Sequence, residues 1–280
     1  MHPTLLSTKL FGVQLDFHAY TFFLALAFLV GTLLPVRKNY QQPNPYPITP
    51  IGGLWVFFGA LLGAKVYYQL QYGDPGDWLR VFRIWEGGLV FYGGLFGGLL
   101  GGYLYLKAVG APPWKVGDIA LPYVPLAHAV ARLGCFFNGC CWGSITTVPW
   151  AVHYPHGSVP FQHQVADGLL DSAAAHSLGV HPSQLYESTG LVLIHFLMRF
   201  AYTRPHRTGE IILLYPLCYG VLRFLTEATR GDSARPLFHM TASQLVALGF
   251  ITFALTMYGI LSATAWRNTD SAPPQERENQ

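Results

Sequence analysis

Long apolar stretches separated by shorter polar ones dominate the pattern of this chain. A helix crosses a hydrocarbon core of about 30 Å with roughly 20 mostly apolar residues. Seven stretches approach or exceed that length, although the fourth and the sixth each contain an arginine. We therefore predict seven transmembrane helices, at residues 17–34, 48–70, 89–109, 116–137, 183–201, 211–225 and 242–262.

The longest polar interval, residues 144–180, lies between the fourth and fifth predicted helices. It is too long for a tight turn and too polar to span a membrane, and loops of this length are usually functional or disordered. Residues 149–155 alternate as a short strand would. We predict an all-α polytopic membrane protein with about seven transmembrane helices: one integral domain over 1–267, an extracytoplasmic arm at 144–180 and a disordered cytoplasmic tail at 268–280.

Composition and charge placement support a membrane protein and suggest its orientation. Of the 280 residues, 51% are hydrophobic and 11% charged, whereas soluble domains carry about 25% charged residues. With the N-terminus outside, nine of the 17 basic residues fall in inner segments, five in outer segments and three within spans. The arm contains no lysine or arginine. The positive-inside rule then favours an outer N-terminus and a cytoplasmic C-terminus.

Glycine pairs crowd the third predicted helix and the segment before it. The pairs at 93–94, 97–98 and 101–102 give a small-residue face on which a second helix can pack closely. Gly87 and Gly88 follow Trp85 and Glu86 instead, and this position favours irregular backbone entering the membrane beside a cavity.

Arg132 and Arg223 lie inside two of the predicted helices. A cation at the bilayer centre costs roughly 2.5–3.5 kcal/mol on insertion scales, so each guanidinium needs an anionic partner. The planar fork of arginine suits a phosphate, because it donates two parallel hydrogen bonds. We expect a lipid phosphate to be that partner. The alternative is an intramembrane carboxylate such as Glu227, four residues after Arg223 on the same helix face.

Four segments, taken in chain order, resemble the motifs of one membrane-enzyme family. Residues 84–95 read I-W-E-G-G-L-V-F-Y-G-G-L, and residues 132–139 read R-L-G-C-F-F-N-G. Residues 181–187 read H-P-S-Q-L-Y-E, and residues 219–230 read Y-G-V-L-R-F-L-T-E-A-T-R. These are similar to R-x-W-D/E-G-G-x-x-x-H-G-G-L, G-R-x-G-N-F-x-N-x-E-x-x-G, H-P-x-Q-L-Y-E and Y-G-x-x-R-F-x-x-E-x-x-R of the prolipoprotein diacylglyceryl transferases. The resemblance extends over about residues 17–262.

The resemblance implies a multi-pass enzyme of the bacterial inner membrane. It would move the diacylglyceryl group of phosphatidylglycerol to the lipobox cysteine thiol of a preprolipoprotein and release glycerol phosphate. The implied partners are phosphatidylglycerol, a preprolipoprotein signal peptide with its lipobox cysteine, and the lipid bilayer. No nucleic acid, cofactor or metal is expected. Two alternatives stay open: a paralogous lipid transferase with another acceptor, and a non-enzymatic lipid- or anion-binding transporter.

The same motifs indicate the catalytic residues, which we expect to be Arg132, Arg223, His181 and Tyr92. The imidazole of His181 is the kind of side chain that accepts a proton in enzymes, but it could instead cap its helix or make a structural hydrogen bond. Tyr92 stands where the family usually has histidine; a tyrosine is a poor base but can donate to a phosphate oxygen. The expected substrate-binding residues are Tyr20, Lys65, Glu86, Gly88, Asn138, Gly143, Gln184, Tyr186, Glu187, Tyr219, Glu227 and Arg230.

Three cysteines lie within and directly after the second motif, and two of them depart from the family pattern. Cys135 stands in place of its asparagine and Cys140 in place of its glutamate. The C-x4-C-C spacing that ends at Cys141 does not match ordinary zinc patterns. Three readings are open: packing, a disulfide in an oxidising compartment, and a thiol relay in which one cysteine carries the diacylglyceryl group transiently.

Overall fold

The computed structural model describes residues 4–10, 13–74, 76–230 and 240–270, and the side-chain surroundings of those between 18 and 263. Every predicted span coincides with at least part of a helix, and the fourth is built from two helices in series. The helices are α1 (Ala19–Tyr40), α2 (Ile51–Tyr72), α3 (Phe91–Ala108), α4 (Pro113–Ala120), α5 (Val124–Asn138), α6 (Val159–Ala166), α7 (Ser183–Tyr202), α8 (Glu210–Glu227) and α9 (Ala242–Asp270).

The fold is helical, as expected for an all-α class, with one two-stranded hairpin that the prediction did not include. Strand β1 (Thr4–Leu10) pairs antiparallel with β2 (Val13–His18), directly before α1. The prediction started the first helix at residue 17 because Phe17 is apolar. In β2, however, apolar residues at 13, 15 and 17 alternate with polar residues at 14, 16 and 18. That period of two is typical of a strand.

Four of the helical segments in the described part of the chain are long and apolar enough to cross a membrane: Ala19–Tyr40, Ile51–Tyr72, Pro113–Asn138 and Ala242–Ala263. The chain is therefore compatible with a multi-pass membrane protein. Large apolar side chains on the outside of the helices agree with this, since Phe58, Leu193 and Phe253 are 61%, 65% and 55% exposed. Helices α3, α7 and α8 fall outside the four, and the count of seven spans stays a prediction.

The chain divides into two compact units, and residues 28–123 form one of them. Its main contact is between α2 and α3, where glycines replace side chains. A Cβ atom on Gly97 would collide with the carbonyl oxygen of Gly59, and one on Gly93 with that of Gly63. The predicted small-residue face is thus confirmed as a packing surface on which two backbones touch.

The other unit comprises residues 1–27 and 124–280. Within it α7 packs against α5 and α8, and α8 packs against α9. Small residues again allow close approach: a Cβ on Gly220 would lie 2.9 Å from the carbonyl oxygen of Ala247 in α9. On α7, Leu191 and Met198 are completely buried. This packing fixes the helix positions from which the charged side chains described below project.

The segment at 144–180 is ordered around α6 and three isolated β-bridges rather than a sheet. The strand expected at 149–155 is reduced to bridges of Val152 with Val180 and Pro155 with His176. Helix α9 ends at Asp270. Residues 268–270, the first three of the tail predicted to be disordered, are therefore helical. Residues 271–280 lie outside the described part of the chain.

Candidate functional site

Glu187 on α7 lies between the two arginines that sequence analysis singled out. Its Oε1 is 2.8 Å from Arg132 Nη2 of α5, and its Oε2 accepts a hydrogen bond of 3.2 Å from Arg223 Nη1 of α8. The carboxylate is only 3% exposed. In low dielectric such charges must be paired, so a single carboxylate joins three helices through two guanidinium groups.

A second carboxylate, Glu227, lies one turn after Arg223. Arg223 Nη2 is 2.6 Å from Glu227 Oε2, an ion-pair contact that is not aligned as a hydrogen bond. The same guanidinium nitrogen donates to Ser243 Oγ of α9 at 3.1 Å. Arg230 is more distant, with its Nε 3.8 Å from Glu227 Oε2. The four-residue spacing predicted the first of these contacts.

The cluster has more positive than negative charge. Arg132, Arg223 and Arg230 face two carboxylates, which leaves one positive charge in a region where all three arginine side chains are at most 15% exposed. Within the described residues, Nε of Arg132 is buried and has no hydrogen-bond partner. An unused charged donor beside a positive excess is the electrostatic condition for binding an anion.

Aromatic and imidazole groups border the ion cluster. The Tyr219 hydroxyl donates to Glu187 Oε1 at 3.1 Å, and its ring stacks on Tyr215 with centroids 5.7 Å apart. The Tyr215 hydroxyl is 3.2 Å from His128 Nδ1, and His128 Nε2 is 3.9 Å from Glu187 Oε1.

Sequence analysis missed His128, Tyr215 and Ser243. His128 lies four residues before Arg132, and Tyr215 four before Tyr219, so helical spacing contained the signal for both. Ser243 carries no such signal because it belongs to a different helix from the arginine it contacts.

The start of α7 has a polar inner face. Ser183, Gln184, Glu187 and Ser188 are all buried there, at three- and four-residue intervals. Ser188 Oγ donates to the carbonyl of Ala129 on α5 at 3.0 Å. Side chains three and four residues apart share a helix face, so the motif that contains Glu187 turns its polar residues inward together.

His181 and Tyr186 are within hydrogen-bond distance of each other at the same helix start. The Tyr186 hydroxyl lies 3.1 Å from His181 Nδ1 and accepts a 2.6 Å hydrogen bond from Trp150 Nε1. The backbone of Gly143 donates to the His181 carbonyl at 2.9 Å. A Cβ on Gly143 would meet His181 Cβ at 2.5 Å, so this position requires glycine. No side-chain cap is formed at the start of α7.

Gln184 connects α7 to the turn after α5 and to the 144–180 segment. Its Nε2 donates to the carbonyl of Cys140 at 2.7 Å and to the Tyr154 hydroxyl at 3.1 Å. Burial raises the pKa of Tyr154 to about 12. The phenol therefore stays neutral and accepts the amide hydrogen bond at every physiological pH.

The cysteines at this turn lie together as free thiols. Cys135, Cys140 and Cys141 have their Sγ atoms within 4.8 Å of one another, so the disulfide reading does not describe this structure. Hydrogen bonds from the two neighbouring thiols, and then the charge of Arg230, lower the pKa of the Cys141 thiol. The exposed Asn138 interacts with the Cys140 thiol through its side chain. The relay reading stays untested.

Tyr20 belongs to the same compact unit as the ion cluster. The first part of α1 packs on α5 where Gly134 leaves space, since a Cβ there would lie 3.4 Å from the Tyr20 carbonyl oxygen. The Tyr20 side chain is 40% exposed.

The remaining predicted site residues belong to the unit of residues 28–123. The buried Lys65 donates from Nζ to the carbonyl of Gly87 at 2.7 Å. Gly87 and Gly88 both have positive φ, and a Cβ on Gly88 would lie 2.7 Å from the Tyr68 ring. The backbone is therefore irregular, as expected for this pair. Glu86 pairs instead with Arg80 at 3.0 Å. Tyr92, at the start of α3, is 40% exposed and contacts the ring of Phe91.

Comparison with known proteins matches residues 8–260 to the model of the family described as prolipoprotein diacylglyceryl transferase. Curated relatives carry the name phosphatidylglycerol–prolipoprotein diacylglyceryl transferase. The chain is 33% identical to that of Legionella pneumophila strain Paris, over 81% of this chain and 77% of the relative. It is 32% identical to that of Methylococcus capsulatus, over 87% and 90%. For the Clostridium tetani protein the identity is 27%, over 93% and 98%.

Proposed function

The chain belongs to the prolipoprotein diacylglyceryl transferase family, and we propose that it moves the diacylglyceryl group of phosphatidylglycerol to the lipobox cysteine of a prolipoprotein signal peptide. The observation that carries this proposal is the buried cluster of three arginines and two carboxylates on α5, α7, α8 and the turn directly after α8. Its excess positive charge and the unpaired Nε of Arg132 suit a lipid phosphate that becomes the leaving group.

The reaction exchanges one bond at the glyceryl carbon. The acceptor thiolate forms a carbon–sulfur bond there, and the carbon–oxygen bond to the phosphate breaks, releasing glycerol phosphate. Negative charge grows on the leaving phosphate as that bond breaks. Fixed cations beside this oxygen stabilise the transition state more than the ground state, which is what accelerates a reaction. We assign that role to Arg132 and Arg223, with Glu187 holding both guanidinium groups in position.

The thiol of the acceptor peptide must lose its proton, and we assign the role of proton acceptor to His181. If Nδ1–H of His181 donates to the Tyr186 hydroxyl, 3.1 Å away, Nε2 is left as the proton-accepting nitrogen. Trp150 orients Tyr186 from its other side. The substrate contacts of Tyr20, Lys65, Glu86 and Gly88 and the catalytic role of Tyr92 stay predictions from the family resemblance.

We further propose seven membrane spans in one integral domain, with the N-terminus outside, the 144–180 segment extracytoplasmic and the C-terminus in the cytoplasm of a bacterium. Helix α8 carries three charged residues, Glu210, Arg223 and Glu227. Two of them belong to the ion cluster and neutralise each other, which supports insertion of this helix despite its charge.

A reconstituted transfer assay tests the function. Purified protein in phosphatidylglycerol vesicles is incubated with a lipobox peptide, and the peptide mass is measured. We expect an added diacylglyceryl group and release of one glycerol phosphate per modified peptide. A peptide with serine in place of its cysteine is the control and should stay unmodified. An unmodified cysteine peptide would contradict the transferase assignment.

The same vesicles separate the two alternatives. A paralogous transferase would release glycerol phosphate only with another thiol acceptor. A transporter would move labelled lipid or anion across the vesicle membrane while leaving every acceptor unchanged.

A further inference from the structure

Three thiols outside the ion pairs form a cluster that the transfer reaction does not require. The Sγ atoms of Cys135, Cys140 and Cys141 lie within 4.8 Å of one another, all three side chains are half-buried, and none is in a disulfide. The acceptor peptide brings its own thiol, so a second nucleophile would add a step to the reaction. The cluster therefore calls for another explanation.

The end of α5 brings two of these cysteines together through a defined backbone motif. Gly139 has φ of 74°, its N–H donates to the carbonyl of Phe136, and the N–H of Cys140 donates to the carbonyl of Cys135, each at 3.2 Å. This pair of hydrogen bonds is the Schellman motif, in which the residue after the glycine contacts the residue three positions before the last one of the helix. Here both contacting positions are cysteine.

The third thiol is added by a strained residue. Cys141 has φ of 61° and is the one non-glycine residue with positive φ in the described part of the chain. Such a conformation costs on the order of 1–3 kcal/mol and persists only where its surroundings hold it. Gln184 donates a 2.7 Å hydrogen bond to the carbonyl of Cys140, the residue before Cys141. Two residues after Cys141, the N–H of Gly143 donates to the carbonyl of His181. The turn is thus fixed on both sides in the form that directs Cys141 toward the other thiols.

We propose that Cys135, Cys140 and Cys141 bind one thiophilic d10 metal ion, Zn²⁺ or Cu⁺. Thiolates are the protein ligands that select these ions. With metal–sulfur bonds of about 2.3 Å, the sulfurs of a tetrahedral site are about 3.8 Å apart, which small side-chain rotations supply from the present separation. Each metal–sulfur bond replaces a sulfur–hydrogen bond and releases that proton. A Zn²⁺ ion would keep a fourth position for water, whereas Cu⁺ needs only the three sulfurs.

The surrounding charge suits such an ion. Three thiolates around a divalent or monovalent cation leave a net negative charge, and the guanidinium of Arg132, one turn before Cys135, interacts with Cys135 and Cys141. The ion would link the end of α5 to the turn after it, whose Cys140 carbonyl accepts a hydrogen bond from Gln184. This proposal does not depend on the transfer activity, because metal binding is measured without substrate.

Metal titration of the whole protein in detergent, kept reduced, tests the proposal. In the first arm, Co²⁺ is the spectroscopic probe, and added Zn²⁺ then displaces the bound Co²⁺. In the second arm, the protein competes with a coloured chelator for Cu⁺. We expect one ion per chain from at least one arm, with thiolate-to-cobalt charge-transfer absorption in the first. Cys135→Ser, Cys140→Ser and Cys141→Ser should each weaken binding by at least about tenfold. Cys218→Ser, which changes the cysteine outside the cluster, should bind as wild type.

A measurement on the unchanged protein guards against variants that fail to fold. Saturating metal should protect three of the four cysteines from alkylation, counted by intact mass. The proposal is overturned if neither the Co²⁺/Zn²⁺ titration nor the Cu⁺ titration shows saturable binding. It is also overturned if Cys218→Ser weakens metal binding as much as the cluster variants do, or if metal protects no cysteine from alkylation. An intact mass two hydrogens lower in metal-free protein purified without reductant, with no metal bound after reduction, would indicate a disulfide pair instead and would also overturn it.

Discussion

Replacing Glu187 by glutamine tests whether one carboxylate positions both arginines. The variant is nearly isosteric but neutral. Its amide oxygen can still accept a hydrogen bond from one guanidinium. Its NH₂ group faces the other guanidinium, and because both are hydrogen-bond donors, no hydrogen bond can form there. In the wild type the carboxylate is 3% exposed and lies 2.8 and 3.2 Å from the two arginines, so the substitution leaves buried positive charge uncompensated.

The magnitude follows from that burial. Removing one partner of a buried ion pair costs about 3–5 kcal/mol, and the retained amide hydrogen bond places Glu187→Gln near the lower limit. For a chain of this size about 3 kcal/mol corresponds to a fall in Tm of roughly 6–12 °C. Misplacement of catalytic groups by about 1 Å costs on the order of 100-fold in rate. We therefore expect kcat to fall about 100-fold, whereas KM for phosphatidylglycerol is unchanged or lower because the cluster gains positive charge.

The assay combines thermal unfolding in detergent with initial rates of lipobox-peptide modification at several lipid concentrations. Asp167→Asn is the matched control, because it also neutralises a paired carboxylate, 2.9 Å from His163, but one that is 49% exposed. Exposed pairs contribute at most about 1 kcal/mol, so this variant should keep wild-type rates. A kcat for Glu187→Gln within about twofold of wild type would refute the positioning role.

Three further predictions concern the phosphate contact, the helix packing and the topology. Arg223→Lys keeps the charge but loses the planar fork, so transfer should fall at least about tenfold with insertion intact; near-wild-type turnover of Arg223→Ala would remove this residue from the mechanism. Gly97→Ala should lower the free energy of unfolding by about 1–3 kcal/mol because its Cβ meets the Gly59 carbonyl. Gly249→Ala, with open space around it, should gain up to about 1 kcal/mol in helix propensity, and equal effects would contradict the packing argument. Reporter fusions should place residues 144–180 outside the cytoplasm and the C-terminal end inside, and a cytoplasmic 144–180 segment would overturn the proposed orientation.

Local pattern was sufficient for the helices and for part of the site. Apolar runs predicted every long helix, because burying apolar surface and satisfying the backbone both favour a helix in lipid. The cost of a buried cation singled out Arg132 and Arg223, and four-residue spacing linked Arg223 to Glu227. The glycine pairs predicted the contact surface on α3, since only small residues let two backbones touch. These features depend on neighbours within one or two helical turns.

Contacts between helices decided the rest. Glu187 was predicted only as a substrate-binding residue, and the structure shows it as the carboxylate shared by Arg132 and Arg223. Ser243 reaches the same cluster from α9. No spacing within one helix encodes these contacts, because they depend on which faces of α5, α7, α8 and α9 meet. The pairing of β1 with β2 was missed because a short alternating strand next to a long apolar run is easily absorbed into the predicted helix.

The cysteine turn combines both kinds of information. A glycine after the last residue of α5 is a sequence signal for the motif that joins Cys135 to Cys140. The conformation that directs Cys141 toward the other two thiols has no such sequence signal. A positive φ in a non-glycine residue is unfavourable by itself and needs support from other parts of the chain. That support comes from Gln184 and His181, about 40 residues further along the chain. The amino-acid sequence thus specifies the turn, and tertiary packing alone brings the third thiol to the other two.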